Sequence, residues 1–233
     1  PENVAAEVIG DQLTLTPAPD WNGSVSISVS VSDGELEDLE VFVLTVNKVN
    51  DAPVIADQNT LITEEDISLV VTFEDLIVTD VDNDYPVGFT LTVLSGDNYE
   101  VDGATITPDL DYNGDLTVPV YIDDGEEENS QSNTFDLLVT ITPVNDAPIL
   151  AEIGNQETSE DTSLVLTLEA TDVDENDLTF SATSEYPDNI FVNITGDQLT
   201  LTPALNWYGV DSITVTVSDG FLTDEEIFVL TVN

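Results

Sequence analysis

The five residues Val49-Asn50-Asp51-Ala52-Pro53 recur unchanged as Val144-Asn145-Asp146-Ala147-Pro148, 95 positions later. A repeat at a fixed period makes the chain a string of like units, each burying its own core and each joined to the next by the same segment. That segment has the chemistry of a junction. Asn and Asp bring turn-forming side chains and oxygen ligands, and Pro keeps the next stretch of chain extended. Residues 187–233 also align with 1–47 without a gap. Gly10 to Pro17 reappears as Gly196 to Pro203, and Ser32-Asp33-Gly34 as Ser218-Asp219-Gly220. The expected domains are the C-terminal half of a repeat over 1–48, a complete repeat over 49–143 and a complete repeat over 144–233. Both ends fall inside the pattern, so the chain is expected to be a piece of something longer. The middle repeat diverges, replacing Ser-Asp-Gly by Asp123-Asp124-Gly125 and adding an acidic insert around Glu126-Glu127-Glu128.

Within each unit the hydrophobic period is two. Ile213, Val215 and Val217 alternate with Thr214, Thr216 and Ser218, and Phe228, Leu230 and Val232 share one face. Val118, Val120 and Ile122, and Ile27, Val29 and Val31, repeat that face. Val and Thr suit half-buried pleated surfaces, and helical periodicity is absent. In the last unit strands are expected near 149–153, 163–170, 178–183, 190–194, 198–202, 211–218 and 226–232. Seven short strands with turns between them read as all-β, seven-stranded Greek-key immunoglobulin-like sandwiches in a linear array. Pro119 interrupts one strand, where a ladder hydrogen bond would be lost. Either the strand is bulged or the amide position points away from its neighbour, and a bulge is expected.

Charge decides which partners are open. There are 49 acidic residues against one basic residue, Lys48, for a formal net charge of −48. Such a balance would mark a disordered chain, but 41% of the residues are hydrophobic and they alternate. Nucleic acid and anionic membrane are poor partners, since one lysine cannot neutralise phosphates. Divalent cations are the natural counter-charge to this self-repulsion. With no Cys or His there is no disulfide, no thiolate site and no neutral-pH imidazole base. No run approaches the roughly 20 apolar residues of a membrane helix, and no signal peptide opens the chain, so any targeting segment is expected elsewhere in a longer polypeptide.

Ala170-Thr171-Asp172-Val173-Asp174, with Asn176 and Leu178-Thr179-Phe180 after it, resembles the Asp-x-Asp strand entry of cadherin repeats. Val144 to Pro148 is similar to the cadherin linker, and Glu65-Asp66 and Glu160-Asp161 resemble its early acidic pair. With Leu-Thr-Pro, Asn-Trp-Tyr-Gly and Ser-Asp-Gly, the chain looks most like the tandem cadherin-like repeats of very large bacterial surface proteins. The resemblance implies calcium held between consecutive units. Carried over by position, the junction of the second and third units would use Glu65, Asp111, Asn145, Asp146, Asp172, Asp174 and Asp219. The first junction would use Asp20, Asn50, Asp51, Asp80, Asp82 and Asp124, while Glu160 and Asn206 would serve a junction beyond residue 233. Two features depart from the cadherin pattern. Lys48-Val49 and Pro143-Val144 stand where an acidic residue usually precedes the linker Asn. The Asp-Arg-Glu turn is replaced by Asp20-Trp21-Asn22-Gly23, Asp111-Tyr112-Asn113-Gly114 and Asn206-Trp207-Tyr208-Gly209. The junctions should then hold fewer ligands, hence one or two ions rather than three.

Calcium chemistry supports the same residues independently. The ion takes about six to eight hard oxygen ligands, which calls for carboxylates and carbonyls converging from separate loops. Against this stands the solvated-turn reading of any Asp-rich loop in so acidic a chain; recurrence of Asp80-Val81-Asp82 as Asp172-Val173-Asp174 weighs against it. The segment is no EF-hand, since Tyr85 and Leu91 stand where Gly and Glu are needed. Asp33, Asp124 and Asp219 can cap a hairpin as well as bind a cation. Trp21, Tyr112 and Trp207 recur at one position of every unit and read as a structural corner rather than a sugar platform. Asn22-Gly23-Ser24 and Asn193-Ile194-Thr195 match glycosylation acceptors, idle in a bacterium. Carboxylate pairs arise by chance among so many acids, and no cleft is unique to one repeat, so no enzyme is expected. The expected function is a calcium-stiffened stalk or fibre segment at a bacterial cell surface. Its partners would be neighbouring repeats, like chains in a filament, or surface glycans. The alternatives are a carbohydrate- or cell-binding adhesion module, or a filament subunit completed by a neighbour's strand.

Overall fold

A computed structural model describes residues 3–233 and falls into two compact units, Pro1–Thr142 and Pro143–Asn233. Pro1 and Glu2 of the expected half-repeat lie outside the described residues. The first unit begins with two antiparallel hairpins. One joins β1 (Val4–Ile9) to β2 (Gln12–Pro17), the other β3 (Gly23–Ser32) to β4 (Glu37–Val46). The sandwich after them contains β5 (Val54–Gln58), β6 (Leu61–Glu64), β7 (Leu69–Val70), β8 (Leu76–Thr79), β9 (Thr90–Val93), β10 (Tyr99–Asp102), β11 (Thr105–Pro108), β12 (Gly114–Asp123) and β13 (Phe135–Thr142). One layer runs β6-β13-β12-β9 and the other β10-β11-β7, with the pair β5-β8 beside it. The core between them is what the alternation predicts: Val118, Val120 and Ile122 from β12 and Leu137 and Val139 from β13 are wholly buried.

The second unit repeats the plan. It contains β14 (Ile149–Leu150), β15 (Gln156–Thr158), β16 (Leu164–Thr167), β17 (Ala170–Thr171), β18 (Thr179–Ser184), β19 (Ile190–Thr195), β20 (Gln198–Pro203), β21 (Gly209–Ser218) and β22 (Thr223–Val232). Its layers are β15-β22-β21-β18 and β16-β20-β19, with the pair β14-β17. Ile213, Val215, Val217 and Leu230 are fully buried, and Phe228 nearly so. The architecture is thus all-β and immunoglobulin/cadherin-like.

Three local readings need correction. The opening strand expected over 149–153 is two strands, and that expected over 163–170 is likewise split, into β16 and β17 of different sheets. β14 pairs antiparallel with β17, and after Gly154 (φ 63°) the chain crosses to pair β15 in parallel with β22. The crossing is held by side chains, with the Glu226 carboxylate accepting the Ile153 amide at 2.7 Å and Asn155 accepting the Val229 amide at 3.0 Å. In the middle repeat Gln58 does more. Its amide exchanges two hydrogen bonds with the Leu138 backbone, at 2.8 and 2.7 Å, imitating a strand residue.

The second correction concerns Pro119, where no bulge forms and β12 stays in register with β13. The Pro119 carbonyl accepts the Leu94 amide at 2.9 Å, so its nitrogen also faces that side. The Leu94 carbonyl, which an amide at 119 would have bonded, takes the Tyr99 hydroxyl instead at 2.8 Å. Third, a short 3-10 turn, Phe73–Asp75, appears where no helix was expected. The Thr72 amide and hydroxyl both donate to the Asp75 carboxylate, at 2.7 and 2.8 Å. Phe73 then meets Tyr85 edge-on, and Tyr85 meets Phe89 the same way, with centroids 5.8 and 5.3 Å apart.

Candidate functional site

In the first unit the repeated segment, lying between β4 and β5, is bound to two other loops. The Asn50 side-chain amide donates to Asp124 at 2.8 Å and to the Glu128 and Asn129 carbonyls at 3.2 Å; Asn129 answers by donating to the Asn50 carbonyl at 3.0 Å. The acidic insert is therefore the loop that wraps Asn50. Asn83 donates to both Asn50 and Asp124, at 3.2 and 3.1 Å. The Asp51 amide donates to Asp82 at 2.8 Å. Asp80 accepts the Asp82 and Asn83 amides on one oxygen, both at 2.7 Å, the turn an Asp side chain makes with its own succeeding backbone. Asp20, with φ 58°, lines a hollow together with Asp51 and Asp82. All six residues predicted for the first junction thus gather in one region.

The second predicted set divides between the units. In Pro143–Asn233 the pattern is repeated with the same partners. Asn145 donates to Asp219 at 2.6 Å, and Asn176 donates to Asn145 at 2.8 Å. The Asp146 amide donates to Asp174 at 2.8 Å, and the Asp174 amide to Asp172 at 2.9 Å. Asp219 also accepts the Phe221 and Leu222 amides at 2.6 Å. The Asn145 amide above all, aided by those backbone amides and opposed by burial, holds the Asp219 carboxyl below the usual carboxylate range. In the first unit Glu65 is buried and accepts from Asn113 at 3.3 Å, while Asp111 (φ 57°) has its amide held by Asp66 at 3.1 Å. Asn206 and Asp161 repeat that last contact at 2.8 Å.

Several contacts were not assigned from the sequence, although Asn176, Asp66 and Asp161 stand within the motifs noted there. Asn83 and Asn176 bridge the linker to the Asp-x-Asp loop, and the shared Asn just beyond each Asp-x-Asp was the available signal. Asp66 and Asp161 shape the Asp111 and Asn206 turns, which nothing local announces. Two of the three recurrent aromatics have a structural place. Trp207 and Tyr112 pack against their cores, and a Cβ added to Gly209 would lie 3.1 Å from the Trp207 ring.

One feature tests whether a cation fits. Among the described residues, two buried side-chain polar atoms have no hydrogen-bond partner: Asp80 Oδ2 and Asp172 Oδ2. They stand at the same position of the two repeats. A buried oxygen left without a donor costs about 1–3 kcal/mol, and each belongs to a loop whose other hydrogen-bonded side chains are carboxylates and amides. That donor set contains neither nitrogen nor sulfur ligands and suits a hard cation such as calcium.

Residues 49–140 match the family model described as a cadherin-like domain, and residues 145–231 that of a bacterial Ig domain. The two matches lie in tandem along the chain. Its fold is similar to three solved structures. Mouse protocadherin-24 EC1-3 is 18% identical at a TM-score of 0.58, covering 99% of this chain and 87% of its own. The protocadherin GammaB4 extracellular domain is 14% identical at 0.57, covering 99% and 43%. Protocadherin Gamma B2 extracellular cadherin domains 3-6 is 12% identical at 0.57, covering 100% and 62%. The chain thus spans less than two thirds of the length of the latter two. At these identities the likeness concerns the fold. Among curated proteins, none matches the chain in sequence.

Proposed function

We propose that this chain is a structural segment of a large extracellular bacterial surface protein, rigidified by calcium bound at its repeated junctions. The cadherin-like and bacterial Ig domains point to an extracellular adhesion or structural module, and no catalytic role is part of the proposal. The observation that carries the calcium reading is the matched pair of buried, unpartnered oxygens, Asp80 Oδ2 and Asp172 Oδ2. Around the first, Asp20, Asn50, Asp51, Asp82 and Asp124 are the proposed ligands and supporting groups. Asn145, Asp146, Asp174 and Asp219 play those parts around the second, and Glu65 and Asp111 are assigned to it by the cadherin pattern. Bound calcium supplies counter-charge to carboxylates that otherwise repel one another; the side-chain amides of Asn50 and Asn145 pre-position the loops. Trp207, seated on Gly209 and against the core, is ill placed to be a glycan platform.

Binding to the folded state alone raises stability by mass action, by about 2.7 kcal/mol at a hundredfold excess over Kd. Melting curves and small-angle scattering of the chain in calcium and in chelator test the proposal. A higher Tm and longer, narrower scattering dimensions with calcium are expected. Identical curves in both conditions would sink it.

A further inference from the structure

Lys48 is the single basic residue in a chain with 49 acidic ones, and its place is informative. Its ammonium lies 4.0 Å from Asp82 Oδ1, the oxygen not engaged by the Asp51 amide. The Asp82 side chain is 6% exposed and that of Lys48 43%. An ion pair this long, with its lysine partly open to solvent, contributes little to stability. Its influence falls on the loop, because Asp82 and its neighbour Asp51 line the hollow shared with Asp20, and the Asp82 amide is held by Asp80, whose other oxygen is the orphaned one. The matching loop of the other unit has the same Asp174–Asp146 contact, but Pro143 occupies the position of Lys48 and no second basic side chain exists to take its role.

We propose that Lys48 is a resident cation that tunes the Asp80–Asp82 loop to bind divalent ions more weakly than the Asp172–Asp174 loop. The inference rests on the calcium reading and extends it. A fixed positive charge beside a site repels a divalent ion and competes for the same carboxylate, so the two loops fill in sequence as calcium rises. A chain in low calcium is then ordered first at its Asp172–Asp174 loop, and the Lys48 loop responds over a higher concentration range.

Calorimetric titration of the whole chain with calcium chloride tests this. Two classes of site are expected, the weaker removed by Asp82→Asn and the tighter by Asp174→Asn. Lys48→Gln should tighten the weaker class roughly fivefold at low salt, less at high salt, and leave the tighter class unchanged. Lys48→Arg should keep the parent affinities. Because the Lys48 side chain is partly exposed and its ion pair long, these variants should retain the parent Tm in chelator. Calcium uptake that is indifferent to Lys48→Gln overturns the tuning role and leaves the calcium reading standing. No uptake in any variant overturns both.

Discussion

The hairpins β3-β4 and β21-β22 share most of their sequence and an identical pairing register, yet their environments differ. Val217 and Phe228 are 0% and 1% exposed, whereas the corresponding Val31 and Phe42 are 69% and 38% exposed. The difference lies in what surrounds each hairpin. β21-β22 is flanked by β15 and β18, in a unit that also holds the sheet β16-β20-β19; among the described residues β3-β4 is a two-stranded sheet. Strand formation and alternation are therefore properties of the local sequence, while burial is conferred by strands distant in sequence.

Matched substitutions probe that conclusion. The largest effect is expected for Phe228→Ala, about 3–5 kcal/mol from the unit Pro143–Asn233. Phe42→Ala should cost about 1 kcal/mol or less, being already open to solvent. Scanning calorimetry of the two variants would break the comparison if the losses were equal. A smaller effect is expected at Asp211, which is 1% exposed and stands where the first hairpin has Val25. It accepts the Ser184 hydroxyl at 2.6 Å and the Tyr186 amide at 3.3 Å. Asp211→Ala strands those donors and should cost about 2 kcal/mol; Val25→Ala should shift the urea midpoint much less.

The smallest effect concerns the two Asp-Gly turns. Asp33 is held below the usual carboxylate range by the Leu36 and Glu35 amides, while Asp219 has the Asn145 side chain first among its causes. In both, the folded value lies below the unfolded one of about 3.9. Each therefore adds stability that is complete above that value and is lost as pH falls through the folded one. In chelator, carboxyl NMR titration should find both below about 3.9, with Asn145→Ala moving Asp219 upward and leaving Asp33 in place. An unmoved Asp219 would remove Asn145 from the account.

Much of this was legible in the sequence because it is periodic. The strands β12, β21 and β22 could be read from alternation, and the linker contacts from the exact recurrence of Asn-Asp beside Asp-x-Asp. What escaped depends on contacts between distant residues. The split into β14 and β15 needs β22 and the Glu226 carboxylate, and the unbulged Pro119 needs the Tyr99 hydroxyl. The Phe73–Asp75 turn is too short to show a helical period. The Asp66 contact that shapes Asp111 joins residues 45 apart.

The side-chain amide of Gln58 has a consequence for solubility. By occupying the Leu138 backbone groups just beyond the reach of β6, it shortens the stretch of sheet margin to which a stray strand could attach. Leu138 itself is 52% exposed there, the kind of apolar margin from which cross-β growth begins. Asn155 takes up one such group, the Val229 amide. Each of the two units thus carries an amide side chain that occupies backbone groups at a sheet margin and discourages that margin from merging with another sheet.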